Sequence, residues 1–224
     1  MGINFSSMNS TPAAPTAAPA PVEATPVAAP TAPAGMSLDL SKNMTLDITK
    51  RNPGLKRLVV GAGWDTAAAG SDIDLDIIMF GCGAGDKVTN TSNVVFFNNM
   101  TIPGVRLNGD NRTGEGEGDD EQIQVDLSLV PANVSRLAFT VTIYDSDVRR
   151  QNFGQVSNSF IRIVDDITGE EIIRYDLGED FSIETAIVVG EIYRNNGEWK
   201  FNAIGSGFQG GLAALCNHYG IEVE

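Results

Sequence analysis

The chain has little of the chemistry from which catalytic triads and metal–thiolate centres are built. It contains one histidine, His218, and two cysteines, Cys82 and Cys216, among its 224 residues. Two cysteines are too few for a disulfide scaffold, and we expect both to be buried as small hydrophobic residues. No nucleophile motif accompanies the lone histidine. We therefore predict that the protein is not an enzyme.

Long apolar runs and basic residues are also scarce. No run approaches the roughly 20 apolar residues that a membrane-spanning helix needs, and the N-terminus lacks the basic and apolar regions of a secretory signal. Fifteen Lys and Arg against 29 Asp and Glu give a net charge of −14, which disfavours nucleic acid and anionic membrane surfaces. We expect a cytoplasmic protein with protein partners and with neither a nucleic-acid partner nor a transmembrane segment.

The composition changes sharply near residue 36. Residues 11–35 hold seven of the ten prolines and a single charge, Glu23. Proline removes backbone donors and alanine buries little surface, so this segment cannot form a packed core. We predict a disordered Ala/Pro-rich tether over residues 1–35 and a folded domain over residues 36–224, without deciding whether the tether is natural or engineered.

The remainder of the chain consists of short β-type segments separated by turns. Asn195, Asn196 and Gly197 form a strong hairpin signal between two of them. Many short strands without alternating helices favour a mainly β fold, a two-sheet β-sandwich with a few short helices, one of them near the C-terminus. We predict a helix at 212–219 and core positions for Trp64, Phe96, Phe139, Phe160 and Trp199. The predicted strands are 45–49, 55–61, 73–80, 93–97, 122–127, 137–144, 160–164, 171–175, 185–193 and 198–204.

The most informative segment is GDNRTGEGEGDDE at residues 109–121. Six carboxylates and four interleaved glycines accompany one basic residue, Arg112. Carboxylates held close together repel one another unless a cation neutralises them. Calcium takes six to eight oxygen ligands in flexible geometry, and glycine lets a chain wrap and point its carbonyls inward. The segment therefore favours a calcium site.

Several alternatives fit this segment less well. Magnesium prefers fewer protein ligands, and zinc would need histidine or cysteine. A phosphate-binding loop would need a positive field, and the spacing is not that of an EF-hand. A solvated acidic turn without a ligand remains an alternative.

A second acidic group occurs at Asp72, Asp74 and Asp76. Alternate side chains of a strand share a face, so the three carboxylates would form a column that either faces solvent or completes the cation site. Asp145 and Glu184, at other predicted strand ends, are weaker candidate ligands.

From residue 37 onward the chain carries a set of distinctive motifs: GAGWD (61–65), DLD (74–76), FFNN (96–99), GDNRTGEGEGDDE (109–121), VTIYD (141–145), RRQNFGQVSNSFIRI (149–163), GEIYR (190–194) and EWKF (198–201). With these motifs the sequence resembles the TerD family of bacterial tellurite-resistance and stress proteins.

The resemblance implies a calcium-binding β-sandwich of stress response or tellurium resistance. It carries a ligand role onto Asp74 and Asp76, and onto Asp110, Asn111, Glu115, Gly116, Glu117, Gly118, Asp119, Asp120 and Glu121. The chain departs from compact members in its Ala/Pro-rich leader. A structural or assembly component of a virion or other large complex therefore stays open as the alternative.

Overall fold

The computed structural model describes residues 38–39, 42–66, 73–109, 118–177 and 181–223. The predicted tether lies outside these residues. So do six of the predicted ligands: Asp72, Asp110, Asn111, Glu115, Gly116 and Glu117.

Strands dominate the described residues. They are β1 (Leu38–Asp39), β2 (Thr45–Asp47), β3 (Arg57–Thr66), β4 (Leu75–Cys82), β5 (Val94–Val95), β6 (Thr101–Ile102), β7 (Val105–Asn108), β8 (Glu121–Asp126), β9 (Arg136–Ile143), β10 (Val156–Asp165), β11 (Glu171–Asp176), β12 (Ala186–Asn195) and β13 (Glu198–Phe208).

Three short α-helices and two 3₁₀ turns complete the secondary structure of the described residues. The helices are α1 (Ile48–Arg51), α2 (Ser146–Arg149) and α3 (Gly211–His218), and the turns lie at Thr91–Asn93 and Phe153–Gln155. None of the helices in the described part of the chain has the length and apolar character needed to cross a membrane.

The strands form two sheets, which confirms the predicted sandwich. The seven-stranded sheet has the order β1-β11-β10-β3-β8-β7-β6, and the six-stranded sheet has the order β2-β13-β12-β9-β4-β5. Nearly all neighbours are antiparallel; β1, which pairs in parallel with β11, is the exception among the described strands. The main core lies between the sheets, where alternate residues such as Ile123 and Val125 of β8 are fully buried.

A second hydrophobic cluster covers the outer face of the six-stranded sheet. Helix α3 packs Leu215 and Cys216 against Phe80 and Cys82 there. The ring of Tyr219 stacks on Phe80 with 4.5 Å between the centroids. Both cysteines are buried thiols, as the sequence predicts. This cluster explains why β4 reads as apolar on both faces: one face meets the core and the other meets α3.

Two local predictions are wrong. The strand predicted at 45–49 ends at Asp47, because Ile48 begins helix α1 and buries its side chain in the core. Phe160 is not a core residue: it lies half-buried on the outer face of the seven-stranded sheet, where the Arg174 guanidinium stacks over its ring at 3.8 Å. The other four predicted core aromatics are buried.

Candidate functional site

The acidic segments that are distant in sequence converge at one end of the sandwich. This acidic end contains the last residues of β3, β7 and β9 and the first residues of β4, β8 and β12, as the antiparallel registers require. Backbone hydrogen bonds tie the segments together: the Asp120 N–H donates to Ala62 O at 2.8 Å, and the Tyr144 N–H donates to Asp74 O at 2.8 Å. The sheet register therefore brings acids that are far apart in the sequence to one end of the sandwich.

Trp64, at the end of β3, links the two main acidic groups. Its backbone N–H donates to Asp120 Oδ2 at 3.0 Å, and its indole Nε1–H donates to Ile73 O at 3.2 Å. The indole is 3% exposed, so it fixes the chain just before Asp74 from inside the protein. Trp64 therefore has a role at the site in addition to its predicted role in the core.

The carboxyl group of Asp120 is electrostatically unfavourable when it is ionised. Burial raises its pKa; the hydrogen bond from Trp64 lowers the pKa, and the negative charges of Asp65 and Asp119 raise it further. The net shift is upward, which means that this environment disfavours the carboxylate. A bound cation would reverse that preference.

Asp119 lies against the outer face of the seven-stranded sheet. Its Oδ1 accepts a hydrogen bond from Arg162 Nε at 2.6 Å, and its Oδ2 accepts one from Gln122 Nε2 at 3.0 Å. The side chain of Asp119 is 2% exposed and that of Arg162 is 21% exposed. Arg162 also pairs with Glu171 at 3.3 Å. Burial lowers the pKa of Arg162, but the two carboxylates raise it overall, so the guanidinium stays charged.

Two glycines of β3 provide the space that this packing needs. A Cβ on Gly61 would lie 2.2 Å from the carboxyl carbon of Asp119, and a Cβ on Gly63 would lie 2.5 Å from Gly118 O. Any side chain at these positions would displace the end of the acidic segment. The GAG sequence of β3 is therefore a cradle for Gly118 and Asp119.

Glu121 points the other way, into the space between the sheets. It is 2% exposed, and its Oε2 accepts a hydrogen bond from the Ile77 N–H of β4 at 2.6 Å. This bond joins the seven-stranded sheet to the six-stranded sheet. The predicted ligand Glu121 thus has a structural contact in the described chain.

Asp74 and Asp76 are buried rather than solvent-facing, at 6% and 8% exposure. Asp76 lies on the face of β4 that packs toward α2 and α3. It lines a cleft of about 260 Å³ with Asp145, Asp147, Phe97 and Tyr144. The weak candidate Asp145 is therefore a neighbour of Asp76, and it adopts a left-handed backbone conformation with φ of 50°.

The other weak candidate, Glu184, caps its own loop. Its Oε2 accepts hydrogen bonds from the N–H groups of Ser182 at 2.9 Å and Ile183 at 3.1 Å. The Ile183 bond is the first cause of a lowered pKa for Glu184. Its backbone carbonyl accepts from Phe153 N–H at 2.9 Å. Glu184 lies at the acidic end, but its described contacts stabilise the loop.

The described residues by themselves do not complete a metal centre. Among residues 38–39, 42–66, 73–109, 118–177 and 181–223, no group of three or more His, Cys, Asp or Glu side chains is placed to hold a metal. The donor chemistry nevertheless fits a hard cation, because the clustered groups are carboxylates and no described histidine or cysteine lies among them. A calcium ion would need donors from residues 110–117 as well.

For three residues of this site, no individual role was predicted from the sequence. Asp65 affects Asp120 by its charge, and Arg162 neutralises Asp119. Gly61 leaves the space that Asp119 fills. Gly61 and Gly63 lie at the end of the predicted strand 55–61 and just beyond it, and glycine at such positions is a signal of close backbone approach that could have indicated the cradle. Arg162 had no such signal, since only the register of β10 on β3 brings it there.

An antiparallel β-sandwich with an acidic end defines the class, and comparison with known proteins specifies the family. The sequence model of the TerD domain matches residues 36–219. General stress protein 16U of Bacillus subtilis (strain 168) is 54% identical over 192 residues, covering 84% of this chain and all of that protein. Tellurium resistance protein TerD of Serratia marcescens is 49% identical over the same shares of both chains.

A solved structure agrees with the fold. The crystal structure of a homologue of telluride resistance protein (TerD) from Streptomyces coelicolor A3(2) superposes with a TM-score of 0.60 at 24% identity, covering 75% of this chain and all of that one. The chain belongs to the TerD domain family.

Proposed function

We propose that this chain is a calcium-binding, non-enzymatic protein of the stress response or of tellurium resistance, which acts through calcium-dependent contacts with protein partners. The convergence of acidic segments at one end of the sandwich is the observation that carries the proposal. The names of the relatives, a general stress protein and a tellurium resistance protein, support the cellular role.

The proposed ligands fall into three groups. Asp74 and Asp76 are buried carboxylates at the acidic end. Asp120 has a raised pKa and therefore an ionised form that a cation would stabilise. Residues 110–117 would contribute the sequence-predicted donors Asp110, Asn111, Glu115, Gly116 and Glu117. The other predicted ligands, Gly118, Asp119 and Glu121, have contacts within the sheets and are not counted among the three groups. Bound calcium would supply charge neutralisation at this end, and the chain's own residues would orient the carboxylates.

Non-enzymatic action is inferred because no nucleophile motif accompanies the one histidine and because cation binding explains the clustered carboxylates better than an acid–base pair does. The one histidine, His218, is exposed at the edge of the second hydrophobic cluster, where its ring centroid lies 5.1 Å from that of Phe208 and 4.8 Å from that of Tyr219. Burial and then the charge of Lys87 lower its pKa. We therefore propose a binding role, and separately we propose a cytoplasmic location.

The second candidate is a structural component of a large assembly, using the domain as a module. One feature favours it: the Pro-rich composition of residues 11–35, which is suited to a tether. Native mass spectrometry with calcium and with a chelator distinguishes the two by reporting metal count and assembly state together. A fixed oligomer that is indifferent to calcium favours the assembly component.

Thermal unfolding tests the calcium site directly. Calcium at 100 times its Kd should add about 2.7 kcal/mol to the free energy of unfolding if it binds only the folded state. The double variant Asp74→Asn with Asp120→Asn should lose most of this gain. Glu170→Gln is the matched control, since Glu170 is an exposed acid at the opposite end of the sandwich. Identical melting of the wild type in calcium and in chelator would refute the site.

A further inference from the structure

We infer that Arg162 is a positioning residue, a built-in counter-ion that seats Asp119 in the Gly61–Gly63 cradle and thereby aims the neighbouring Asp120 at the proposed cation. The inference rests on the proposed function. It also reassigns Asp119 from a ligand of the cation to the anchor of the acidic segment.

The ion pair has the geometry of an anchor. Arg162 Nε lies 2.6 Å from Asp119 Oδ1, and the carboxylate side chain is 2% exposed. Its second oxygen accepts from Gln122 Nε2 at 3.0 Å, so both oxygens have donors from the sheet. A carboxylate that is buried and neutralised in this way has less negative charge to offer a second cation.

The space at Gly61 lies beside Arg162 and is filled by the Asp119 carboxylate. Gly61 pairs with Arg162 across β3 and β10, so the arginine and the open face of the glycine lie side by side. A Cβ at Gly61 would overlap the Asp119 carboxylate at 2.2 to 2.5 Å. The sheet thus leaves space for the Asp119 carboxylate at Gly61 and places the Arg162 guanidinium next to that space.

The anchored segment leads directly to Asp120. The Asp120 N–H donates to Ala62 O at 2.8 Å, and Asp120 Oδ2 accepts from Trp64 N–H at 3.0 Å. With Asp119 held on one side and these two bonds on the other, the Asp120 carboxylate is confined. Partners that orient a metal ligand without touching the metal typically contribute 10–100-fold to affinity.

Calcium titration calorimetry of Arg162→Gln, Asp119→Asn and the double variant is the first test. Each single variant should weaken calcium binding about tenfold, and the double variant should also be about tenfold weaker, because both changes break one contact. Arg162→Lys should fall between wild type and Arg162→Gln, since it keeps the charge without the guanidinium geometry.

Arg174→Gln is the matched control for these variants. Arg174 pairs with Arg162 across β10 and β11, and its guanidinium contacts Asp176 and Phe160 in place of Asp119. The substitution Arg174→Gln removes one positive charge from the same face of the sheet as Arg162→Gln does. It should leave the calcium Kd within about twofold of wild type. If Arg174→Gln weakens binding as much as Arg162→Gln, the contact has no specific role and the inference is wrong.

Three other results would overturn the inference. Tighter calcium binding by Arg162→Gln would mean that the arginine competes with the cation for Asp119. An unchanged Kd would mean that the contact does not act on the site. Additive losses, about a hundredfold in the double variant, would mean that Asp119 acts independently of Arg162.

Amide hydrogen exchange in chelator separates this inference from the proposed function. Arg162→Gln should speed exchange of the Asp120 and Trp64 amides at least about tenfold, while that of Phe139 in the six-stranded sheet stays unchanged. If wild type binds no calcium but these amides respond, the proposed function fails and the anchor stands. If exchange of the Asp120 and Trp64 amides is unchanged in Arg162→Gln, the anchoring role of Arg162 is wrong, even if the protein binds calcium.

Gly61→Ala provides a steric route to the same result. The added methyl group overlaps the flexible end of Asp119 and leaves the charge of Arg162 in place. The fold should survive, because the Asp119 side chain can move away. Calcium affinity and the Asp120 amide should respond as in Arg162→Gln; wild-type values for both would show that the cradle is irrelevant.

Discussion

The carboxylate of Glu121 crosses the sandwich to accept a hydrogen bond from the Ile77 N–H at 2.6 Å. It starts from β8 of the seven-stranded sheet and ends on β4 of the six-stranded sheet. The bond lies at the acidic end, beside the segment proposed to bind calcium, and both of its partners belong to the protein.

Glu121→Ala should therefore destabilise the fold itself. Leaving the buried Ile77 N–H without this acceptor should lower the free energy of unfolding by about 1–3 kcal/mol. Urea denaturation should show the same loss in calcium and in chelator, with Glu170→Ala as the exposed control. A loss seen only in calcium would instead make Glu121 a ligand.

The pH dependence of stability should reveal the loop contact of Glu184. Hydrogen bonds from Ile183 and its neighbours lower the folded-state pKa below the ordinary 4.5. Since the folded pKa is depressed, the stabilisation is present above pH 4.5 and is lost as the pH falls through the folded value.

In chelator, Glu184→Gln should have a lower Tm than wild type at pH 7. The difference should shrink below pH 4.5 and vanish once Glu184 is protonated in both states. Glu170→Gln should track wild type over the whole range. A Tm difference that needs calcium would contradict the loop-capping role.

The two thiols should be almost unreactive in the folded protein. Burial raises the pKa of Cys82 and of Cys216 to about 12 each. Reaction proceeds through the thiolate, so a disulfide reagent at pH 8 should label them at least about 100-fold more slowly than in guanidinium chloride.

Tellurite should consequently not be captured directly. It is an oxyanion, and the chain carries −14 overall. Calorimetric titration of tellurite into calcium-loaded protein should show no saturable heat at micromolar concentration. A one-to-one isotherm that Cys82→Ser or Cys216→Ser abolishes would make the protein a direct scavenger.

Deletion of residues 1–35 should leave the domain intact. The deletion keeps β1 and every other described element, so the Tm should change by no more than about 1 °C. Limited proteolysis of the full chain should trim within residues 11–35. Resistance of that segment, or a large loss of Tm, would show that it docks on the domain.

The fold class was predictable because its signals are local. Alternation in QIQVDL predicts β8, and its inward residues Ile123 and Val125 are fully buried. The Asn-Gly turn at 196–197 predicts the hairpin of β12 and β13. Shorter elements were not predicted. β6, β7 and α2 contain too few residues to show a hydrophobic periodicity, and tertiary packing stabilises them.

The sequence by itself determined which residues could bind a cation, and the tertiary structure decided what each described one does. Composition places six carboxylates in one glycine-rich segment, a local property. Only strand register sets Asp119 against Arg162, turns Glu121 into the core and links Asp120 through Trp64 to the residue before Asp74. Alternation within β8 turns Glu121 inward and Gln122 outward, whereas Asp119 lies before the strand, next to Gly118 with its φ of 102°, and is free of that alternation.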